Sequence, residues 1–344
     1  MPAQKTTASD EYARIYTMLS GLTANMSVVA LAGKQRIQNF EAAAKNDPLM
    51  VELVNELRDR FAAVQGAEAY LEMSQAYEAF AEANFAYEML QRGVALERTP
   101  GTGREGEKRP DFRHRQTGKI HFEVKALEIA EPLSRNKAIA HDALEQAAEL
   151  DHRARKPGVH VGETVMSGFK PGTTASQRVD LVIERLNSAL KRDQLRYGPT
   201  ILVVDLGRLP SPSFGPSALL PAFFHAGPPA ESSVSGELWH IALGRIGERM
   251  LRLPEFDGAS NLDGHLTRQG VLHDYPELCG VTFVYPAWSN PSALLTIWNP
   301  VPDQTNLVNK LALKEHEVGD IVAKYSNGWN DTSNEHGWNY RICR

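Results

Sequence analysis

Cysteine is scarce in this 344-residue chain. There are two, Cys279 and Cys343, too few for a disulfide framework and without zinc-ligand spacing. The expected setting is therefore a reducing, cytoplasmic one. Long apolar runs are missing as well, and nothing approaches the ~20 residues of a membrane span, so no membrane partner is expected. The opening Met1-Pro2-Ala3-Gln4-Lys5-Thr6-Thr7-Ala8-Ser9-Asp10 has no apolar segment of the kind that marks a secretory signal. Nor is there an excess of positive charge: 37 Lys and Arg stand against 42 Asp and Glu, a formal net charge of -5. Such a chain binds nucleic acid only through a local basic surface. With 42% hydrophobic and 23% charged residues, collagen-like, coiled-coil and largely disordered classes are excluded.

Several catalytic signatures are absent too. No phosphate-binding loop ending in Gly-Lys-Ser/Thr occurs, and no Gly-x-Ser-x-Gly elbow. The 11 histidines include no His-Glu-x-x-His pair, which argues against a zinc hydrolase. Gly101-Thr102-Gly103-Arg104-Glu105-Gly106 matches a dinucleotide fingerprint by letter. It runs into Glu107-Lys108-Arg109-Pro110 rather than a helix, so a pyrophosphate would lack the helix N-terminus that the motif supplies.

What is present falls into three stretches. Residues 1–66 read as a helical N-terminal extension, with Asn46-Asp47-Pro48 starting a helix. Residues 67–302 read as an α/β core. Its first helix, about 67–91, stops at Gly93, and short strands follow near 94–98, 110–115 and 119–127. Helices are expected near 137–155 and 177–196. Thr200-Ile201-Leu202-Val203-Val204-Asp205-Leu206 is almost continuously apolar, as in a strand covered on both faces. A Pro/Ser/Gly-rich excursion at 207–236 interrupts the core, and two late strands fall near 280–285 and 293–298. Residues 303–344 read as a polar C-terminal tail, with an amphipathic piece near 307–322.

The sharpest feature is Pro110-Asp111, eleven intervening residues, then Glu123-Val124-Lys125. Gln116-Thr117-Gly118 fits a three-residue hairpin loop ending in a left-handed glycine. That register sets Arg115 against Lys119 and Asp111 against Glu123. Directly opposed residues have Cβ atoms roughly 4.5–5.5 Å apart. Alternation puts Glu123 and Lys125 on one face with His121, and Phe122 and Val124 on the other. Two carboxylates so close favour a cation between them, and a hard divalent ion with oxygen ligands, Mg²⁺ above all, answers that need. From Glu97 to Lys125 eight basic residues face five acidic ones. Arg113 and Arg115 share the face of Asp111, where they would meet phosphates flanking a scissile bond.

These residues resemble the PD-(D/E)XK nucleases, the restriction-endonuclease-like superfamily. Pro110-Asp111 matches the first half of its motif and Glu123-Val124-Lys125 the second, and the flanking order over about 67–206 is similar. The resemblance implies a restriction-endonuclease-like core with a mixed central sheet flanked by helices. It implies a metal-dependent endonuclease that hydrolyses DNA, with Asp111, Glu123 and Lys125 catalytic. Mg²⁺, or Mn²⁺ in its place, would be held by Asp111, Glu123, the Val124 carbonyl and a first-helix acid, Glu82. Glu78, the more embedded by wheel position, stands in reserve. Lys191 and Gln194 are placed to touch a phosphate or the attacking water. A homodimer or a partner protein would supply DNA affinity that the acidic chain lacks. The alternative is a catalytically silent nuclease-like domain that binds nucleic acid or protein.

Overall fold

The computed structural model describes residues 6–19, 33–66, 69–101, 107–127, 145, 148–153, 173–207, 221–225, 232–251, 260, 262–285, 293–299, 314–324 and 338–342. The chain divides into two compact units. The first holds Met1–Tyr87, Ala130–Gly168 and Arg208–Gly215; the second holds Glu88–Ile129, Phe169–Gly207 and Pro216–Arg344. These units divide at 87/88, inside a helix, beside the boundary at 66/67 read from the sequence.

In the first unit, α1 (Ala8–Met18), α2 (Lys34–Ala43) and α3 (Pro48–Ala63) precede the long α4 (Tyr70–Gln91). Each start has a local cause. Thr7 and Asp10 form a capping box, and the Asp47 side chain accepts the Met50 N–H at 3.0 Å with Pro48 in the first turn. Ile15, Ile37, Phe40, Leu53, Leu57 and Phe61 are buried, each contributing about 1.5–3 kcal/mol of transfer free energy. The Phe40 ring packs on Phe80 and Tyr87 at 5.7 and 5.4 Å. Arg14 closes the end of α3 by donating to the Phe61 and Val64 carbonyls at 2.9 and 3.0 Å. Helix α4 runs on into the second unit and ends where expected: Gly93 takes φ +79° and the Val94 N–H bonds back to the Met89 carbonyl at 2.9 Å.

The second unit is an α/β body around a mixed sheet flanked by helices. Its strands are β1 (Leu96–Arg98), β2 (Phe112–His114), β3 (His121–Ala126), β4 (Thr200–Asp205), β5 (Pro221–His225), β6 (Ser232–Gly236), β9 (Leu278–Tyr285), β10 (Ala293–Trp298), β11 (Ile321–Lys324) and β12 (Trp338–Ile342), with a separate pair β7 (Arg249–Leu251) and β8 (Leu262–His265). The ten run in the order β1-β2-β3-β4-β9-β10-β11-β12-β6-β5. Strands β1 to β3 are antiparallel, while β3, β4 and β9 are mutually parallel. Every residue of β4 is buried, as its unbroken apolar run requires.

Four expectations change here. The two late strands pair with each other, and do so antiparallel, but β9 lies beside β4 in the middle of the sheet. The excursion at 207–236 contributes the hairpin β5–β6, and the tail at 303–344 contributes β11 and β12. Of the amphipathic piece near 307–322, the described part is the short α9 (Glu315–Val318) followed by the start of β11. The helix foreseen over 177–196 is two. Crossover helix α5 (Ala175–Ala189) stops where Leu190 turns extended (φ -75°, ψ 136°), and a single turn, α6 (Arg192–Leu195), follows. Buried contacts of Leu190, Gln194 and Leu195 override a continuous helical propensity. Helices α7 (Glu237–Leu243) and α8 (Val271–Asp274) complete the unit. The helix foreseen near 137–155 is seen at 145 and 148–153; its other positions lie outside the described residues, as does 102–106 of the glycine-rich loop. Among the described residues no helix is long and apolar enough to cross a membrane.

Candidate active site

The hairpin β2–β3 has the register its loop dictates. Phe112 pairs with Phe122 and Arg113 with His121, so one step outward sets Asp111 against Glu123. Gly118 takes φ +62° and donates to the His114 carbonyl at 2.8 Å, closing the loop with the left-handed residue that such turns need. Phe112 and Phe122 are buried and fix the hairpin to the core. Arg98 of β1, opposite Phe112 in the ladder, lies over its ring at 5.0 Å.

On the other face the polar groups converge. Glu123 is wholly buried, with 0% of its surface exposed. Its Oε1 accepts from the Lys125 ammonium and from Gln194 Nε2, the latter at 2.7 Å. Asp111 Oδ2 accepts the Val124 N–H at 2.7 Å. Burial, and next the nearby Glu123 charge, push the Asp111 carboxyl up to about 7, against the opposing pull of Lys125, the Val124 N–H and Arg98. A pair of acids that resists holding both charges is a common mark of a functional site. His121, on the same face, is held toward its neutral form by burial and by the Arg113 charge, and its ring meets Tyr197 edge-on at 6.0 Å.

The structure thus brings together Asp111, Glu123, Lys125 and Gln194. Val124 contributes its N–H to Asp111. Arg113 is ion-paired with Glu97 at 2.5 Å, and Arg115 donates to the Leu96 carbonyl at 2.8 Å. Both guanidinium groups are thereby engaged along the β1–β2 edge. Lys191 is exposed, and its ammonium turns back to the Ser188 carbonyl at 3.0 Å. Glu82 is half-buried on the part of α4 that belongs to the first unit, while Glu78 is exposed. The wheel ordering of those two is reversed, because a wheel does not show which flank of the apolar stripe a neighbour covers.

Sequence reasoning missed two groups. Arg98 acts on Asp111 through space; its place one strand over from the motif was the available signal. Glu88, 1% exposed, bonds Arg92 at 2.7 Å, and Arg92 grips both oxygens of Asp320 at 2.7 and 2.8 Å. The Glu88/Arg92 spacing of four residues hinted at the first pair, and nothing local hinted at the second. Among the described residues no group of three or more His, Cys, Asp or Glu side chains is arranged to hold a metal ion; the acids that converge at the motif are two. No family model, curated protein or solved structure matches the chain.

Proposed function

We propose that this chain is a metal-dependent nuclease that hydrolyses DNA phosphodiester bonds, built on a restriction-endonuclease-like core. The observation that carries the reading is the opposition of Asp111 and Glu123 across one hairpin, with Lys125 bonded to Glu123 on the same face. The order α4, β1, β2, β3, α5, β4, with β4 parallel to β3, supports the fold assignment.

The donor chemistry fits Mg²⁺. Two hard carboxylates that repel one another favour a divalent ion, and Mg²⁺ keeps several waters, so it needs few protein ligands. Asp111 and Glu123 would hold it, with the Val124 carbonyl as the further ligand of the proposal. Bound there, the ion supplies Lewis-acid polarisation and a more acidic water. Lys125 keeps an ammonium at the Glu123 carboxylate, where it orients a water and offsets negative charge in the transition state. Arg113 lies on the strand that leads from Asp111 and Arg115 in the turn just past it, and a second copy or a partner protein adds affinity for DNA.

The test is incubation with single-stranded, duplex and branched DNA, with Mg²⁺ and with chelator. The wild type cuts only with metal. Asp111→Ala abolishes cutting without loss of fold, and Lys125→Ala lowers the single-turnover rate more than the metal affinity. DNA held equally with and without metal, and never cut, replaces this reading with that of a silent binding module.

A further inference from the structure

One side chain touches the second half of the motif and the residue that leads into the first. Gln194 Nε2 donates to Glu123 Oε1 at 2.7 Å and to the carbonyl of Arg109, two residues ahead of Asp111, at 3.4 Å. Its Oε1 accepts the Lys191 N–H at 3.1 Å. These partners fix the orientation of the amide. The oxygen meets a donor and the nitrogen meets two acceptors, and a flipped amide would oppose all three. Gln194 is 7% exposed, so these bonds form away from solvent, where a lost partner is costly.

The two things it joins differ in how firmly they are otherwise held. Gln194 stands in α6, and the chain leads from there directly into the wholly buried β4. The stretch 107–110 carries no secondary structure. It reaches the sheet at Asp111, whose carbonyl accepts the Thr99 N–H at 3.3 Å.

We infer that Gln194 is a positioning residue that ties the Asp111-bearing segment to the Glu123 carboxylate, presenting the two acids as a pair before any cation or substrate arrives. The purpose of that tether rests on the nuclease reading; the tether itself does not. It also differs from the phosphate- or water-touching role that the resemblance implied, since both ends of the amide are already engaged inside the protein.

The experiment is Mn²⁺ titration calorimetry on the full chain, beside duplex-DNA binding measured without divalent cation, steady-state kinetics and thermal melting. Gln194→Met keeps the length and removes the donors. It weakens Mn²⁺ binding by roughly 10–100-fold and lowers kcat, with KM and DNA affinity unchanged. Gln194→Asn keeps an amide donor, one methylene shorter, and recovers part of the Mn²⁺ affinity. Lys191→Met leaves Mn²⁺ affinity as it was. Unaltered Mn²⁺ affinity in Gln194→Met overturns the inference, and so does weakened DNA binding with Mn²⁺ affinity intact. If Gln194→Met does not melt cooperatively, Gln194→Ala decides: a folded variant with unaltered Mn²⁺ affinity overturns the tether. A wild type that binds no Mn²⁺ and cuts no DNA overturns the nuclease reading instead.

Discussion

Glu123 and Glu237 begin alike. Each is buried, each accepts at Oε1 from a basic side chain, Lys125 in one case and Arg178 in the other, and each has an aspartate close enough to oppose its charge. The difference lies in what that aspartate does. Asp263 accepts the Ala175 N–H at 2.9 Å, so its charge is spent on the first turn of α5, where a carboxylate complements the helix dipole. Asp111 faces Glu123 across a hairpin ladder. The first arrangement ties a helix down; the second gathers two anions at one place. Buried charge and a nearby aspartate are common to both places; what sets the hairpin apart is that Asp111 and Glu123 share one face with Lys125 and Gln194, both bonded to Glu123.

The sharpest way to break that comparison is to exchange each carboxylate for an amide. On the nuclease reading proposed above, Asp111→Asn lowers the single-turnover cleavage rate by roughly 10³-fold, the scale of losing a positioned acid-base or charge-stabilising group. Glu237→Gln leaves that rate unchanged. Equal losses would mean that the two groupings are not different in kind.

Stability against pH separates them next. Burial, the larger effect, and Asp263 push the Glu237 carboxyl up from 4.5 to about 7, with Arg178 pulling the other way. Its Oε2 is buried and has no hydrogen-bond partner among the described residues. The folded state therefore keeps a proton that the unfolded state has lost. That contribution is complete below pH 4.5, fades as pH rises, and is gone above about 7; its scale is about 3 kcal/mol. Glu237→Gln removes this slope, and urea denaturation at pH 5 and pH 8 measures it. Arg178→Met leaves the carboxylate buried beside Asp263. It costs roughly 1–3 kcal/mol at pH 8 and less at pH 5, where Glu237 is neutral. A cost that is the same at both pH values would show that the ion pair is not what couples α5 to α7.

What the sequence made legible follows the range of the cause. Asp47-Pro48, Gly93 and Gln116-Thr117-Gly118 act within one turn of chain, and the helix start, the helix end and the Asp111/Glu123 opposition appear as expected. Strands β11 and β12 were hidden because Ile321-Val322-Ala323 is too short to show a period. Their partners are also remote: β10 on one side, and on the other β6, which lies in the stretch that read as an excursion. The bond from Arg92 to Asp320 spans 228 residues and leaves no local trace. Gln194 was legible as a polar residue near the right strand. Its role was not, because the break at Leu190 that turns it onto Glu123 is imposed by packing and not by propensity.

The smallest effect concerns the edge of the same hairpin. Arg113 and Glu97 oppose each other in the β1–β2 ladder and are each about one-third exposed, so their ion pair contributes at most about 1 kcal/mol to stability. A phosphate that sought Arg113 would have to displace that carboxylate. Glu97→Gln removes one negative charge from the rim and releases the guanidinium for a phosphate oxygen. If the chain binds DNA as proposed, duplex DNA then binds a few-fold more tightly at low salt, and the slope of log Kd against log salt steepens by about one unit for the added phosphate contact. Arg113→Gln in the same background returns both to wild-type values. If Glu97→Gln changes neither affinity nor salt slope, the DNA backbone does not run along this edge, and the contrast between an engaged Arg113 and a converging Asp111 has no bearing on substrate.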